Sequence, residues 1–357
     1  MRCTIVPPYL IAKLVDVDEP PVAERARRAL DLDAGFRARR PGSRDATSGG
    51  PQLTADEQRV PEDPPPRRRI RDANGGTDLP GRMVRREGEP ATDDAAADEA
   101  YVGLGAIWQL LNDAYGRDSL NGRGMPLRAT VHFGEDYANA FWDGTRMVFG
   151  DGDGQYFHRF TISIDVIGHE LAHGVTEHTA DLVYSGQSGA LNESMSDVFG
   201  SLVKQRELGQ SDERADWLIG AELFTDRIRG EALRSMKSPG TAYDDPLLGK
   251  DPQPATMDDY VDTTDDNGGV HINSGIPNHA FYHVATAIGG NAWEAPGEIW
   301  YAVLTGGQLD RDADFQSFAE LTTAVARERF GDGSTEATAV ADAWSHVGLG
   351  APAAGST

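Results

Sequence analysis

Two histidines and a glutamate in one short segment have the spacing of a catalytic metal site. His169 and His173 are four residues apart, so on a helix both imidazoles lie on one face and can share a metal ion. Glu170 follows the first histidine, where its carboxylate can reach a water in the open fourth position of a tetrahedral zinc. The pattern therefore predicts a zinc-activated water with Glu170 as its general base.

The next helical pattern offers a third metal ligand. Glu193 and Asp197 lie four residues apart within an apolar helix just downstream of the two histidines. A catalytic zinc usually takes three protein ligands, so Glu193 is the predicted third one. Asp197 can accept the outer N–H of a ligating histidine and so fix the tautomer of that ring. Acidic pairs at this spacing also occur on solvated helix faces, but the apolar neighbours favour the metal site.

The order of these and later motifs resembles that of the thermolysin family of zinc metallopeptidases. The motifs are His169-Glu170-x-x-His173, Asn192-Glu193-x-x-Ser196-Asp197, Asn139 to Trp142, Met147 to Gly154, Leu233 to Met236 and Asp266 to Gly275. The resemblance covers roughly residues 66–350. It implies an α+β, two-lobed thermolysin-like fold, with a β-rich N-terminal lobe, an α-helical C-terminal lobe and the zinc helix between them.

The resemblance also implies catalytic roles beyond the zinc helix. His271 and Tyr184 match the groups that donate hydrogen bonds to the oxyanion formed when water attacks a peptide carbonyl. Asp266 matches the carboxylate that orients His271. The implied activity is that of a zinc-dependent endopeptidase. The alternative left open is a non-catalytic, zinc-stabilised peptide-binding module, which could lose Glu170 or His271 without penalty.

Other matching positions imply how substrate is held. Asn139, Ala140 and Arg234 match groups that bind the substrate backbone, so the stretch from Asn139 to Trp142 is expected to be a sheet edge that an extended peptide joins as a strand. The positions that match the pocket for the side chain after the scissile bond are all apolar: Phe157, Phe160, Val166, Ile219, Leu223 and Leu233. An apolar pocket predicts a preference for large hydrophobic residues rather than strict selection.

One motif departs from the family pattern at a calcium site. Asp165 matches a position that, in similar enzymes, belongs to a double calcium site, but Lys204 stands at another position of that site. An ammonium group can replace the charge of the metal but cannot coordinate calcium, so we expect this double site to be absent. A single calcium site near Thr225 and Glu231 is a further candidate.

Composition limits the partners of the chain. Its 357 residues include 33 basic and 57 acidic ones, which gives a formal net charge of −24. Such an acidic balance argues against nucleic acid and anionic membranes as partners, while the family resemblance implies protein or peptide substrates. The sequence contains no run of 18 apolar residues, so no membrane-spanning helix is expected. Its single cysteine excludes an internal disulfide.

The beginning of the chain resembles the short propeptide of protealysin-like members of the family. Residues 1–50 are the predicted propeptide, which is expected to bind the catalytic part of the same chain. Residues 51–69 are rich in Pro and charged residues and are predicted to form a flexible cleavage region. Residues 24–40 are predicted to form a helix. The first apolar runs are short and broken by Pro7 and Pro8, unlike a signal peptide. We therefore expect secretion by a non-classical route, or a cytoplasmic location.

Cys3 has two interpretations. Its thiolate could occupy the open position of zinc and hold a precursor inactive, or the residue could be a small apolar group that packs the propeptide.

After the cleavage region, residues 70–180 are the predicted β-rich catalytic lobe ending in the zinc helix. Residues 181–350 are the predicted α-helical lobe, and residues 351–357 are a tail. The remaining histidines are interpreted as structural or surface groups: His132, His158, His178, His279, His283 and His346.

Overall fold

A five-stranded mixed sheet organises the first lobe of the catalytic part. In the computed structural model, which describes residues 4–38 and 65–350, its strands are β1 (Arg69–Asp72), β2 (Arg82–Arg86), β3 (Arg128–Val131), β4 (Ala140–Trp142) and β5 (Met147–Phe149). The strand order is β2-β1-β3-β5-β4. Strands β1, β3 and β5 run parallel, and the outer strands are antiparallel to their neighbours. Strand β4 is therefore a sheet edge, as predicted for the stretch that contains Ala140.

Helices make up most of the rest. They are α1 (Pro8–Val15), α2 (Pro20–Ala38), α3 (Ala95–Tyr115), α4 (Ile164–Glu177), α5 (Gly186–Glu207), α6 (Asp266–Asn273), α7 (Gly275–Ile288), α8 (Ala295–Thr305), α9 (Phe315–Phe330) and α10 (Thr335–His346), with 3₁₀ turns at Phe160–Ile162 and Met257–Asp259. The predicted two-lobed α+β architecture is confirmed. Within the ranges that the structure describes, no helix is long and apolar enough to span a membrane.

The structure differs from the sequence-based expectation at one boundary and in the secondary structure of one stretch. Arg69, the last residue of the predicted cleavage region, is the first residue of β1. The C-terminal lobe, all of it described up to residue 350, contains no α-helix between Leu208 and Asp265. Short antiparallel pairs occupy this stretch instead: β6 (Leu218–Ile219) with β7 (Arg234–Ser235), and β8 (Asp244–Asp245) with β9 (Gly249–Lys250). Four prolines between residues 239 and 254 explain the lack of a helix there, because proline cannot continue a helical hydrogen-bond ladder.

Helices α4 and α5 approach each other so closely that their backbones touch. A Cβ atom on Gly168 would lie 3.0 Å from the Cα of Gly200, and one on Gly200 would lie 2.4 Å from the carbonyl oxygen of Asp165. No side chain fits between the helices at this crossing. The contact brings the histidines of α4 against the carboxylates of α5, so glycine at these two positions is a requirement of the site.

We predict that Gly200→Ala destabilises the chain by about 1–3 kcal/mol, because the added methyl overpacks the helix crossing. The measurement is the thermal unfolding midpoint together with the zinc content. The matched control is Gly35→Ala in α2, where an added Cβ would meet no atom within 4 Å and should be tolerated. Equal midpoints for the two variants would contradict the proposed crossing.

Candidate metal centre and peptide-binding edge

The predicted metal ligands converge on one point between α4 and α5. The Nε2 atoms of His169 and His173 are 3.1 Å apart, and Glu193 places Oε2 3.5 Å from the first and Oε1 3.5 Å from the second. All three side chains are buried. Ligand atoms held tetrahedrally at zinc by bonds of about 2.0–2.1 Å are about 3.3 Å from one another. The three donors therefore have the separations that a zinc ion requires.

The outer nitrogens of both rings are held by polar partners on α5. His169 Nδ1 donates to Asp197 Oδ1 at 2.7 Å, as predicted for a carboxylate behind the metal ligand. His173 Nδ1 donates to Asn192 Oδ1 at 2.7 Å, and Ser196 Oγ lies 3.0 Å from the same nitrogen. These bonds direct both Nε2 atoms to the metal position. Sequence reasoning missed the role of Asn192, although its place beside the predicted ligand was a usable signal.

Burial and charge set the protonation of these groups. Burial by itself would raise the pKa of Asp197, but Arg234 and His169 outweigh it and lower that pKa to about 2. Burial opposes a charge on His169, yet Asp197 and Glu193 raise its pKa to about 9. Burial lowers the pKa of His173 to about 4. Metal ligands must be deprotonated, so zinc binding displaces a proton from His169.

Glu170 is fixed between the zinc helix and the sheet edge. Its Oε2 accepts a hydrogen bond from the backbone N–H of Trp142 at 2.9 Å. Its Oε1 is buried and has no hydrogen-bond partner among the described residues. A buried acceptor left in this way costs about 1–3 kcal/mol, which a water beside the metal ligands would relieve. Burial also raises the pKa of this carboxyl to about 8.

The predicted oxyanion donors lie beside the third metal ligand. The Tyr184 hydroxyl donates to Glu193 Oε1 at 2.5 Å and lies 3.4 Å from His271 Nε2. His271 Nε2 is itself 3.4 Å from Glu193 Oε2. Behind the ring, His271 Nδ1 and its backbone N–H both donate to Asp266, at 2.7 and 2.8 Å. Burial opposes a charge on His271, but Asp266 and Glu193 outweigh it and raise its pKa.

The first described residues of the chain, 4–6, lie beside β4 and pair with it through one isolated antiparallel bridge. Thr4 pairs antiparallel with Phe141, and the N–H of Ile5 donates to the carbonyl of Ala140 at 3.1 Å. Val6 and the Asn139 side chain form two hydrogen bonds: the Val6 N–H donates at 3.0 Å and its carbonyl accepts at 3.2 Å. Asn139 and Ala140 are groups predicted to hold substrate.

The Arg234 side chain links residues 4–6 to the metal centre. Its Nε and Nη2 each donate to Asp197 at 2.8 Å, while Nη1 donates to the carbonyl of Ile5 at 3.3 Å. The third group predicted to bind substrate backbone is thus also bound to the beginning of the chain. Ile5 has no exposed surface.

The six apolar positions predicted to line a pocket are all buried: Phe157, Phe160, Val166, Ile219, Leu223 and Leu233. The rings of Phe157 and Phe160 stack with centroids 5.9 Å apart. Leu223 and Leu233 both approach Gly220, where an added Cβ would lie 3.1 Å from each Cδ1 atom. Ile219 is paired with Arg234 through β6 and β7. The structure thus brings Phe157 against Phe160, and Leu223 and Leu233 together around Gly220.

Lys204 occupies the region of the predicted lost calcium site. Its ammonium is 3.1 Å from Asp165 Oδ2, 2.9 Å from Asp216 Oδ2 and 3.2 Å from the carbonyl of Leu218. Burial opposes this charge, but Asp165 and Asp216 outweigh it and raise the pKa of the lysine.

Two other predicted sites stay predictions. Near the candidate single calcium site, the Thr225 hydroxyl donates to the carbonyl of Gln155. Cys3 lies outside the described residues.

The fold and the His–His–Glu site define a zinc metallopeptidase. The family model described as thermolysin metallopeptidase, catalytic domain, matches residues 53–177, and the model for the alpha-helical domain matches residues 180–349. The chain belongs to the thermolysin family and is a metalloendopeptidase.

Similar proteins include an extracellular metalloprotease of Pectobacterium carotovorum subsp. carotovorum, 56% identical over 79% of this chain and 81% of the relative. Protease PrtS of a Photorhabdus species is 55% identical over 79% of this chain and 76% of its own length. The solved precursor of protealysin, a metalloproteinase from Serratia proteamaculans, is 50% identical with a TM-score of 0.86, over 97% of this chain and 99% of that one.

We predict that Asn192→Ala lowers zinc affinity by about 10–100-fold, because His173 loses the acceptor that fixes its tautomer. Competition with a zinc chelator measures the change. Asn291→Ala, which removes an exposed amide bonded only locally to Glu294, is the control and should leave zinc affinity unchanged. Equal affinities for the two variants would contradict a supporting role for Asn192.

Proposed function

We propose that the chain hydrolyses peptide bonds with Glu170 as general base and His271 and Tyr184 as hydrogen-bond donors to the carbonyl oxygen under attack. The observation that carries this assignment is the buried, unpartnered Oε1 of Glu170 beside three converging metal ligands. His169, His173 and Glu193 would hold the zinc, which when bound polarises the carbonyl and makes water more acidic.

Glu170 and His271 have separate roles in the proposed reaction. The Trp142 N–H fixes one oxygen of Glu170, so the other oxygen is free to accept a proton from the attacking water and return it to the departing amine. Asp266 holds His271 with its Nε2 toward the site, and the raised pKa of this ring favours the protonated, donating form. Donors fixed in advance act on charge that develops only in the transition state.

A non-catalytic, zinc-stabilised peptide-binding module is the weaker candidate. Such a module has no need for a buried base, which is costly to keep without a partner. The chain nevertheless retains Glu170 and His271, both buried and both directed to the metal ligands. These two residues favour the catalytic assignment.

We predict that Glu170→Gln lowers casein hydrolysis by about 10²–10⁴-fold while zinc stays bound, because the variant loses only the proton acceptor. Both variant and wild type are processed with the same external protease before the assay. Glu328→Gln, an exposed change on α9, is the control. Unchanged hydrolysis by the Glu170→Gln variant would exclude Glu170 as the base.

We propose that residues 1–50 are a propeptide that blocks the site and is removed by cleavage within residues 51–69, leaving lobes 70–180 and 181–350 and a tail from 351. The support is that Ile5 and Val6 use the backbone-binding groups Asn139, Ala140 and Arg234. In this arrangement Ile5 takes the place of the substrate residue that follows the scissile bond. A buried isoleucine there agrees with a preference for large hydrophobic residues.

We predict that Ile5→Asp weakens latency by at least about tenfold, because burial of an isoleucine side chain contributes about 1.5–3 kcal/mol and a buried carboxylate is unfavourable. The measurement is hydrolysis of a short peptide by freshly purified, uncleaved protein. Ile5→Leu should stay latent, and Ala12→Asp, on the exposed face of α1, is the matched control. Latency that is unaffected in Ile5→Asp would show that residue 5 does not hold the site closed.

We propose that Lys204 replaces the double calcium site, because its ammonium already neutralises Asp165 and Asp216. A calcium chelator should therefore leave the thermal unfolding midpoint unchanged when zinc is kept saturating. Lys204→Met should lower the midpoint, since removing one partner of a buried ion pair costs about 3–5 kcal/mol. Lys237→Met, at an exposed position, is the control. A midpoint that falls on chelation in the wild type would overturn this proposal.

Two further points remain proposals. The relative named above as an extracellular metalloprotease supports action outside the cell. A zinc-blocking thiolate at Cys3 stays a prediction that Cys3→Ser would test through the latency of the precursor.

A further inference from the structure

Two neighbouring histidines and a third that is distant in sequence meet on the surface of the helical lobe. His279 and His283 are four residues apart on α7, and His346 is the last residue of α10. The two helices pack against each other. One ring nitrogen from each histidine lies within 4.8 Å of those of the other two. This is the cluster that sequence reasoning left as unrelated structural or surface residues.

The separations resemble those of the zinc site on α4. The Nε2 atoms of His279 and His283 are 3.0 Å apart, compared with 3.1 Å for His169 and His173. The ring of His346 lies with its centroid 4.1 Å from that of His283 and 5.5 Å from that of His279. Nitrogens held tetrahedrally at a zinc ion are about 3.3 Å apart, so His279 and His283 have nearly the required separation, and a nitrogen of His346 lies within 4.8 Å of both.

The environment of the rings favours metal binding. His279 Nδ1 lies 3.1 Å from the carbonyl of Ala255, which can only accept, so this nitrogen carries the proton and Nε2 presents its lone pair. Burial, together with His279 and His346, lowers the pKa of His283 to about 4, which keeps this ring in the neutral form that binds metals. His346 is exposed, which leaves a path for an ion and a position for water.

We propose that His279, His283 and His346 form a second metal site, for a transition cation of the borderline class such as Zn²⁺ or Cu²⁺. Imidazole nitrogens suit these ions, whereas calcium and magnesium prefer oxygen ligands. The bound ion would tie the C-terminal helix α10 to α7. Helix α7 also carries Asn278, whose Nδ2 donates to Asp197 at 2.8 Å behind the catalytic ligand His169. The second site would thus stabilise the position of α7, which contacts the catalytic metal site through Asn278.

The test counts zinc on the full-length chain. After dialysis against micromolar free Zn²⁺, metal analysis should find two zinc ions per chain in the wild type and in His158→Ala, an exposed histidine outside the cluster. His283→Ala and His346→Ala should each bind one. Circular dichroism and the unfolding midpoint without added zinc establish that the variants are folded. One zinc ion in the wild type, or a second ion that persists when both histidines are replaced, would overturn the proposal.

A second measurement identifies the ligands. Cu²⁺ added to wild type that holds one zinc ion per chain should give an electron paramagnetic resonance spectrum with splitting from imidazole nitrogens, and the double variant His283→Ala/His346→Ala should lose that splitting. If His279 and His283 only form a hydrogen bond with each other and bind no metal, the wild type and the double variant will give the same Cu²⁺ spectrum. That result would overturn the proposal.

Discussion

The buried carboxylate of Asp197 is the constraint on which the rest of the site depends. Oδ1 accepts from His169 and from Arg234 Nη2, and Oδ2 accepts from Arg234 Nε and from Asn278, all at 2.7–2.8 Å. An ionised carboxylate without exposed surface is tolerable only when its charge and lone pairs are matched in this way. One anion therefore fixes a metal ligand, the arginine that binds peptide backbone and the helix α7, and none of these can shift alone.

Two other buried carboxylates also need polar partners, and they find them in different ways. Asp165, at the start of the zinc helix, is neutralised by Lys204 from α5. Asp33, on α2, accepts from Tyr137 at 2.5 Å and from Asn139 at 3.1 Å. This second carboxylate comes from the predicted propeptide and holds the Asn139 amide that also bonds Val6. The first lobe thus contacts the beginning of the chain through the buried Asp33 carboxylate as well as through the pairing of residues 4–6 with β4.

Sequence patterns could predict what is local to one helix and what a family resemblance transfers. The zinc ligands on α4 follow from a four-residue spacing, and Glu193 with Asp197 from the same spacing on α5. His271, Tyr184 and Arg234 came from motif order, because nothing in their own surroundings distinguishes them. The pairing of Ile5 with Ala140 and the meeting of His346 with α7 could not be predicted. Both depend on how distant elements dock, which periodicity does not encode.

The pairing of residues 4–6 with β4 gives the proposed cleavage a kinetic consequence. Because Ile5 and substrate would use the same hydrogen-bonding groups, any change that tightens peptide binding at Ala140 and Arg234 would also tighten the binding of Ile5. A tethered segment competes at an effective concentration that a short chain can hold in the millimolar range, whereas a severed segment competes only at its bulk concentration. Dilution after a single cut would then suffice to free this edge of the sheet for substrates.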